Sequence, residues 1–528
     1  MTRFKIAQEW GLLKEDVPLN KEQVEDKAKR MLAQMSLAEK IKQMSGDAPL
    51  VRGLVELFFA YNMRPIPAGE NVRLSIPAIR FSDGPRGVVM NHSTCFPVSL
   101  ARGASWDTDL EERVGDAIGV EARSQGANLF AGVCINLLRH PAWGRAQETY
   151  GEDPYHLGEM GAALVRGVQR HVMACIKHFA ANSIENTRYR VDVRISERTL
   201  REVYLSHFKR CVDEGAASVM SAYNKVNGHY CGHNSHLLRD ILKKEWGFEG
   251  FVISDFVFGI RKGKAAKAGL DIEMPLTIHF GKKLMKLVRR GTVPEDVIDD
   301  AVLRILKQKI RFAQIGEPGK YALQAIVSSE HKALAREAAQ KSIALLKNDF
   351  VAGATKRILP IDVDHLNRIA IIGKLATKPN TGDKGSSKVR PPYVITPLEG
   401  IRAAVPRDCE VMYSDGRIIR KAVEIARKAD ISVIMALPPI RTTAVFGFAA
   451  TVCKIRVSSC GLRVRTSLSP PLVNIYSPSS LWVHPTTITD MSALRAISTA
   501  LFMTLPSLYM TSQSRATAAR IPSSGVIT

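Results

Sequence analysis

Short apolar runs recur through the first part of the chain, each closing on polar side chains and each followed by a stretch of helical repeat. The plainest is Gly250-Phe251-Val252-Ile253-Ser254-Asp255-Phe256, a β-branched run that ends abruptly in a carboxylate. A run this short, without polar alternation, predicts a strand buried on both faces, as in a parallel sheet. Similar runs cover residues 76–83, 132–138, 174–176 and 218–222, with a last short one over 268–274. Between them the apolar spacing predicts helices over 21–44, 156–171, 196–214, 235–246, 282–290 and 294–312. Ser36-Leu37-Ala38-Glu39 has the form of a capping box that restarts the first of these. The 46–75 segment carries little pattern.

Strands alternating with helices define an α/β class with a parallel sheet. Polar residues gathered at several strand ends predict a TIM-like (β/α)8 barrel over residues 1–313, whose site lies on that face. A doubly wound sheet is the alternative, but the glycine-rich phosphate turn that would open it is missing from the sequence. A polar Gly/Pro-containing linker follows at 314–330. A second α/β unit spans 331–436, with a helix over 331–347, strands over 369–373, 410–413 and 431–435, and a long polar loop over 374–392. Its pattern is that of the first half of a domain.

From residue 437 the character changes. Through Thr528 the one acidic residue is Asp490, and the apolar positions follow neither a helical nor a strand period. A charged globular segment carries acids far more often. We expect no assigned fold for 437–528 and read it as a product of translation in the wrong frame, with a low-complexity tail as the alternative.

Charge alters the picture little. The formal net charge is +23, but Lys and Arg are spread along the chain and interleaved with acids, as on solvated helix faces. We expect no nucleic-acid partner. No apolar run approaches the roughly 20 residues that span a membrane, and Met1 to Pro18 has no apolar leader, so the expected location is cytoplasmic. The eight cysteines form no CxxC pair, which points to neither a metal site nor a disulfide framework. No cofactor is expected, and homo-oligomerisation is left open.

The chemistry sits at the strand ends. Asp83, Arg145, Lys177, His178, Tyr223 and Asp255 each follow a predicted strand. Two carboxylates, two cations, an imidazole and a phenol suit a polyhydroxylated ligand, since carboxylates accept from sugar hydroxyls and cations donate to them. Trp143 and Phe256 can offer apolar faces to a ring. Singly, each has a plainer reading: Asp255 as a helix N-cap, Arg145 paired with Glu148 or Glu152, Lys177 on the surface, His178 in the core. Recurrence at strand ends favours the joint reading.

The strings Ser82-Asp83-Gly84-Pro85-Arg86-Gly87, Trp143-Gly144-Arg145, Gly151-Glu152-Asp153-Pro154, Lys177-His178-Phe179, Met220-Ser221-Ala222-Tyr223-Asn224 and Ile253-Ser254-Asp255-Phe256 together resemble glycoside hydrolase family 3 of the β-glucosidase type. The resemblance covers roughly residues 20–436 and implies a TIM-like barrel followed by an α/β sandwich domain, here incomplete. It implies a retaining exo-acting β-glycosidase for terminal non-reducing β-linked sugars, with Asp255 as nucleophile. Asp83, Arg145, Lys177 and His178 would hold the sugar, with Tyr223, Phe256 and Ser386 around it. Lys177 and Arg145 would keep Asp255 ionised. Two departures stand out. Phe256 replaces a Trp, and Leu437-Pro438-Pro439-Ile440 stands where the acid/base Glu is expected, with no Glu after it. Glu148, Glu185 and Glu273 lie near strand ends without an assigned role. The alternative is an impaired or inactive sugar-binding remnant of the family.

Overall fold

The computed structural model describes residues 13–48, 61–350, 357–381, 385–436 and 452–457. Two reciprocal capping boxes open the chain. Asn20 and Gln23 start α1 (Lys21–Ala33), and Ser36 and Glu39 start α2 (Leu37–Gln43). Each box answers backbone donors that a helix start leaves unpaired, so the restart at Ser36 is where the sequence places it.

Six strands form the main sheet: β1 (Ile66–Ala68), β2 (Ile79–Asp83), β3 (Leu129–Cys134), β4 (Met173–Phe179), β5 (Ser218–Ser221) and β6 (Phe251–Ser254), adjacent in that order. From β2 to β6 the pairing is parallel, while β1 runs antiparallel to β2. Every residue of β3, β4, β5 and β6 is buried, as their unbroken apolar runs require. Helices α3 (Ser99–Ala104), α4 (Thr108–Ser124), α5 (Pro154–Gln169), α6 (Ser206–Asp213), α7 (Lys282–Arg289) and α8 (Glu295–Ala313) accompany the sheet.

The sheet curls, and its two ends are joined by isolated bridges. Ile272 lies parallel to Ile253, Glu273 to Ser45, and Gly46 antiparallel to Ala68. Among the described residues, eight regular parallel strands do not form. The 268–274 run supplies single-residue contacts instead of a strand. Asp271 turns its carboxylate onto Lys243 and the Val252 amide, and Pro275, which lacks an N–H, follows directly.

The main apolar core runs from Leu13 to Ala338. Helix α9 (Ser329–Lys341) was expected to open the second unit, but it buries Leu334 and Ala338 in this first core. The second unit has its own small core around Ile369, Ile371, Leu398 and Val433. Its strands β7 (Arg368–Ile372), β8 (Glu410–Ser414), β9 (Ile431–Ala436) and β10 (Val452–Val457) lie in the order β8-β7-β9-β10, with β10 antiparallel to β9. Helices α10 (Pro397–Ala404) and α11 (Ile419–Lys428) complete it. Strand β10 falls within the segment expected to have no fold. Its Val, Ile and Val residues are strong strand formers. The remainder of that expectation lies outside the described residues. No helix among the described residues is long and apolar enough to cross a membrane.

Lys309 on α8 is fully buried and makes no ion pair among the described residues. Its ammonium donates to Gln43 Oε1 at 2.8 Å and the Gly69 carbonyl at 2.5 Å. Burial pulls its pKa down to about 7, against roughly 10.4 in an unfolded chain. Between those values the unfolded chain binds the extra proton, so this group makes stability rise with pH by up to about 1.4 kcal/mol per unit. Urea unfolding at pH 7, 8 and 9 is expected to show that rise in the wild type and to lose it in Lys309→Met.

Candidate active site

The polar ends of β2 to β6 meet at one rim. Asp83 closes β2, and its Oδ1 accepts from Lys177 Nζ of β4 at 2.5 Å. Its Oδ2 accepts from the Tyr61 hydroxyl at 2.9 Å, and its amide donates to Asn62 Oδ1 at 2.7 Å. The turn after Asp83 needs glycine. Gly84 has φ +130°, and a Cβ there would stand 1.7 Å from the Gly87 carbonyl oxygen. Arg102, buried and held by Glu111, donates to the Pro85 carbonyl at 3.0 Å and so fixes the turn from behind.

His178 is clamped by Asn136. The Asn136 side chain accepts from the His178 amide and donates to its carbonyl, both at 2.8 Å. Asn136 Oδ1 also lies 3.2 Å from Nδ1, and Arg145 Nη1 lies 2.8 Å from Nε2. A guanidinium can only donate, so Nε2 is the acceptor and the proton sits on Nδ1. Burial, with Arg145, Lys177 and Arg188 around it, pushes the imidazole well below its ordinary pKa. His178 is therefore neutral, and its 3.7 Å approach to Asp255 Oδ2 is a contact between a lone pair and a carboxylate rather than a salt bridge. Arg145 also grips Glu148 in a two-pronged pair at 2.9 and 2.6 Å. Burial alone would raise the Glu148 carboxyl, but Arg145 and Lys177 outweigh it and hold it low.

Asp255 stands one residue past β6 and is 7% exposed. Its Oδ1 accepts from the Phe256 amide at 2.7 Å, whereas its Oδ2 is buried with no hydrogen-bond partner among the described residues. Burial raises its pKa against the opposing pull of Arg145, Arg188, the Phe256 amide and Tyr223. This corrects the expected balance in two ways. The net direction is upward, and the Lys177 ammonium donates to Asp83 rather than to Asp255. Tyr223 donates its hydroxyl to the Phe256 carbonyl at 2.8 Å.

Asp83, Arg145, Lys177, His178, Tyr223 and Asp255 thus converge, as the strand-end pattern predicts. Three expectations shift. The Phe256 ring is 7% exposed and packs on Phe81 and Tyr61 at centroid distances of 4.9 and 6.0 Å, so it is wall rather than open platform. Trp143 is buried too and points its N–H at Glu185, 3.3 Å away. Ser386 is half-buried, and it is the adjacent Ser387 whose hydroxyl reaches Glu148 Oε1 at 3.3 Å. Sequence reasoning misses Tyr61, Asn136, Glu148 and Arg188 as members of the site. Tyr61 lies in a stretch without periodicity. Arg188 comes from a loop, pairs with Glu185 at 2.7 Å and lies over the Tyr223 ring, 4.9 Å from its centroid. Glu273 is structural: its carboxylate accepts from the His279 and Phe280 amides.

A curled α/β sheet that gathers carboxylates, guanidiniums and an imidazole at its strand ends is an arrangement able to hold a polyhydroxylated ligand. The chain belongs to glycoside hydrolase family 3. Residues 65–308 match the model of the glycosyl hydrolase family 3 N-terminal domain, and residues 343–439 match that of its C-terminal domain. Thermostable β-glucosidase B of Acetivibrio thermocellus is 36% identical over 435 residues, covering 77% of this chain and 54% of that protein. A β-glucosidase of Rhizobium radiobacter is 38% identical over 343 residues, covering 63% of this chain and 41% of that one. The chain therefore spans about half the length of the curated relatives it matches. Among solved structures, β-glucosidase 3B from Thermotoga neapolitana in complex with α-D-glucose aligns with a TM-score of 0.65 at 32% identity, over 76% of this chain and 57% of that one. A β-D-glucoside glucohydrolase from Trichoderma reesei aligns with a TM-score of 0.69 at 28% identity, over 78% and 59%.

Two outcomes follow from this geometry. Nitrogen NMR of His178 is expected to show the neutral Nδ1–H tautomer unchanged between pH 5 and 8, values taken from the ordinary titration range of histidine. Glu148→Gln leaves the buried Arg145 guanidinium without its carboxylate, and chemical denaturation is expected to show a loss of about 3 kcal/mol.

Proposed function

We propose that this chain is a retaining, exo-acting β-glycosidase of the β-glucosidase type, with Asp255 as the nucleophile. The observation that carries the reading is the free oxygen of Asp255. It is buried at a strand end, has no hydrogen-bond donor among the described residues, and lies 3.7 Å from the neutral imidazole of His178, with Arg145 and Arg188 acting on the carboxylate. A terminal sugar would be held by Asp83, Lys177, Arg145, His178 and Tyr223, with the turn at Ser386 and Ser387 approaching from the second unit. Asp255 attacks the anomeric carbon, the bond to the leaving oxygen breaks, and a glycosyl-enzyme ester forms. Water then hydrolyses that ester and frees Asp255. The glucose-bound relative supports a pyranose of that size.

We read the curled sheet and its bridges as a barrel of the TIM-like kind spanning 1–313, joined through 314–330 to part of a sandwich domain at 331–436. We place the protein in the cytoplasm and read most of 437–528 as a product of translation in the wrong frame. The match to the family's C-terminal domain ends at residue 439.

Protonation of the leaving group is the weak step. The nearby carboxylates are each held by a cation: Asp83 by Lys177, Glu148 by Arg145, Glu185 by Arg188. No Glu follows residue 436. Lacking a general acid slows the assisted step by about 10²–10⁴-fold. Nitrophenyl glucoside, which leaves without a proton, is therefore expected to turn over far faster than cellobiose, and equal rates would contradict the missing acid. A 2-fluoroglucosyl donor is expected to label Asp255 in mass spectra, and Asp255→Asn to abolish the label. An absent label on the wild type would leave only the sugar-binding alternative. Because the ionised carboxylate is the active form and burial raises its pKa, kcat/KM is expected to rise with pH along an acid limb displaced above the usual aspartate value of about 3.9.

A further inference from the structure

A cavity of about 380 Å³ lies where α9 and residues 380–381 and 391–395 of the second unit meet the turn after β2. Arg86, Lys332 and Arg336 line it, and no Asp or Glu does. Arg86 is 5% exposed and makes no ion pair among the described residues. Its Nε donates to the Phe96 carbonyl at 2.9 Å and its Nη1 to the Thr381 carbonyl. The remaining nitrogen, Nη2, has no hydrogen bond to a described residue. A buried guanidinium answered only by neutral carbonyls is a costly arrangement. Lys332 and Arg336 sit four residues apart on α9, a like-charge spacing that opposes the helix. Neither makes an ion pair among the described residues, although Glu337 on the same helix engages Arg113 and Lys341. The facing wall is Pro391, Pro392 and Tyr393, the last 56% exposed.

We propose that this interdomain cavity binds an aromatic carboxylate. Three cations line the cavity and would attract an oxyanion, and a guanidinium edge matches a carboxylate's two oxygens. The prolines and the tyrosine ring would cover the ligand's flat apolar body. Cavities at domain junctions with apolar walls and few converging polar groups are the usual form of small-molecule sites. The site is separate from the Asp255 rim and does not depend on the glycosidase reading.

Calorimetric titration of the full chain with cinnamate and with its neutral counterpart, cinnamyl alcohol, tests this. Cinnamate is expected to bind at least about tenfold tighter, the worth of a charge-assisted pair of hydrogen bonds. Lys332→Gln/Arg336→Gln, two exposed positions, is expected to weaken cinnamate by a similar factor while leaving the thermal melt unchanged. Asp255→Asn is expected to bind cinnamate as the wild type does, and glucose is expected not to compete. Equal binding of acid and alcohol, no binding of either, unchanged affinity in the double variant, or competition by glucose would each overturn the proposal. Asp383 is the acid nearest in sequence to the Thr381 wall. If Asp383→Asn raised affinity about tenfold or more, that side chain and not a ligand would be the natural partner of Arg86, which also overturns it.

Discussion

Lys177 and Asp83 bury an ion pair at 2.5 Å between the ends of β4 and β2, and the arrangement of the rim follows from it. Removing either partner from such a pair leaves a lone charge in the interior and costs about 3–5 kcal/mol. The lysine is therefore spent on structure as well as on any ligand. With that ammonium committed, Asp255 has no nearby cation strong enough to offset its burial. Its free oxygen is left poised by guanidiniums at a distance and by an imidazole that cannot donate. The same logic runs outward: Arg145 is answered by Glu148, Arg188 by Glu185, and Arg102 by Glu111. Asp255 differs from these carboxylates in keeping one buried oxygen without a hydrogen-bond partner among the described residues, and that difference marks it chemically.

The second unit contributes to this rim rather than merely following it. Ser387 reaches Glu148 at 3.3 Å, Arg390 donates to the Val89 carbonyl at 2.6 Å, and the Ser93 amide donates to the Arg390 carbonyl at 3.2 Å. Helix α9 packs into the first core although it follows the linker. The junction between the units is therefore a set of specific polar contacts close to the proposed sugar site.

Much of the fold and of the rim could be read from the chain because both rest on local signals. An apolar run that stops at Asp255 or Lys177 gives both the strand and the position of the side chain beyond it. Ser36 and Glu39 announce a helix start through a reciprocal pair that depends on no distant residue. What could not be read depends on long-range partners. The protonation of His178 is set by Asn136 and Arg145, which are remote from it in sequence. Arg188 arrives from a loop without periodicity. The antiparallel direction of β1 has no signature in a strand of three residues. Lys177 was expected to lower the pKa of Asp255, and only the three-dimensional partner of that lysine, Asp83, shows where its charge is spent.

The seam that joins the two ends of the curled sheet is one residue wide at each contact, and Gly46 is part of it. A Cβ at that position would stand 2.3 Å from the Pro275 carbonyl oxygen, while the glycine's own carbonyl accepts from the Thr277 hydroxyl at 2.7 Å. The hydrogen atom at position 46 thus sets how closely the start and finish of the first unit can approach. The approach of these two segments is governed by a single missing methyl group, and any larger residue there would push the 46 and 275 backbones apart.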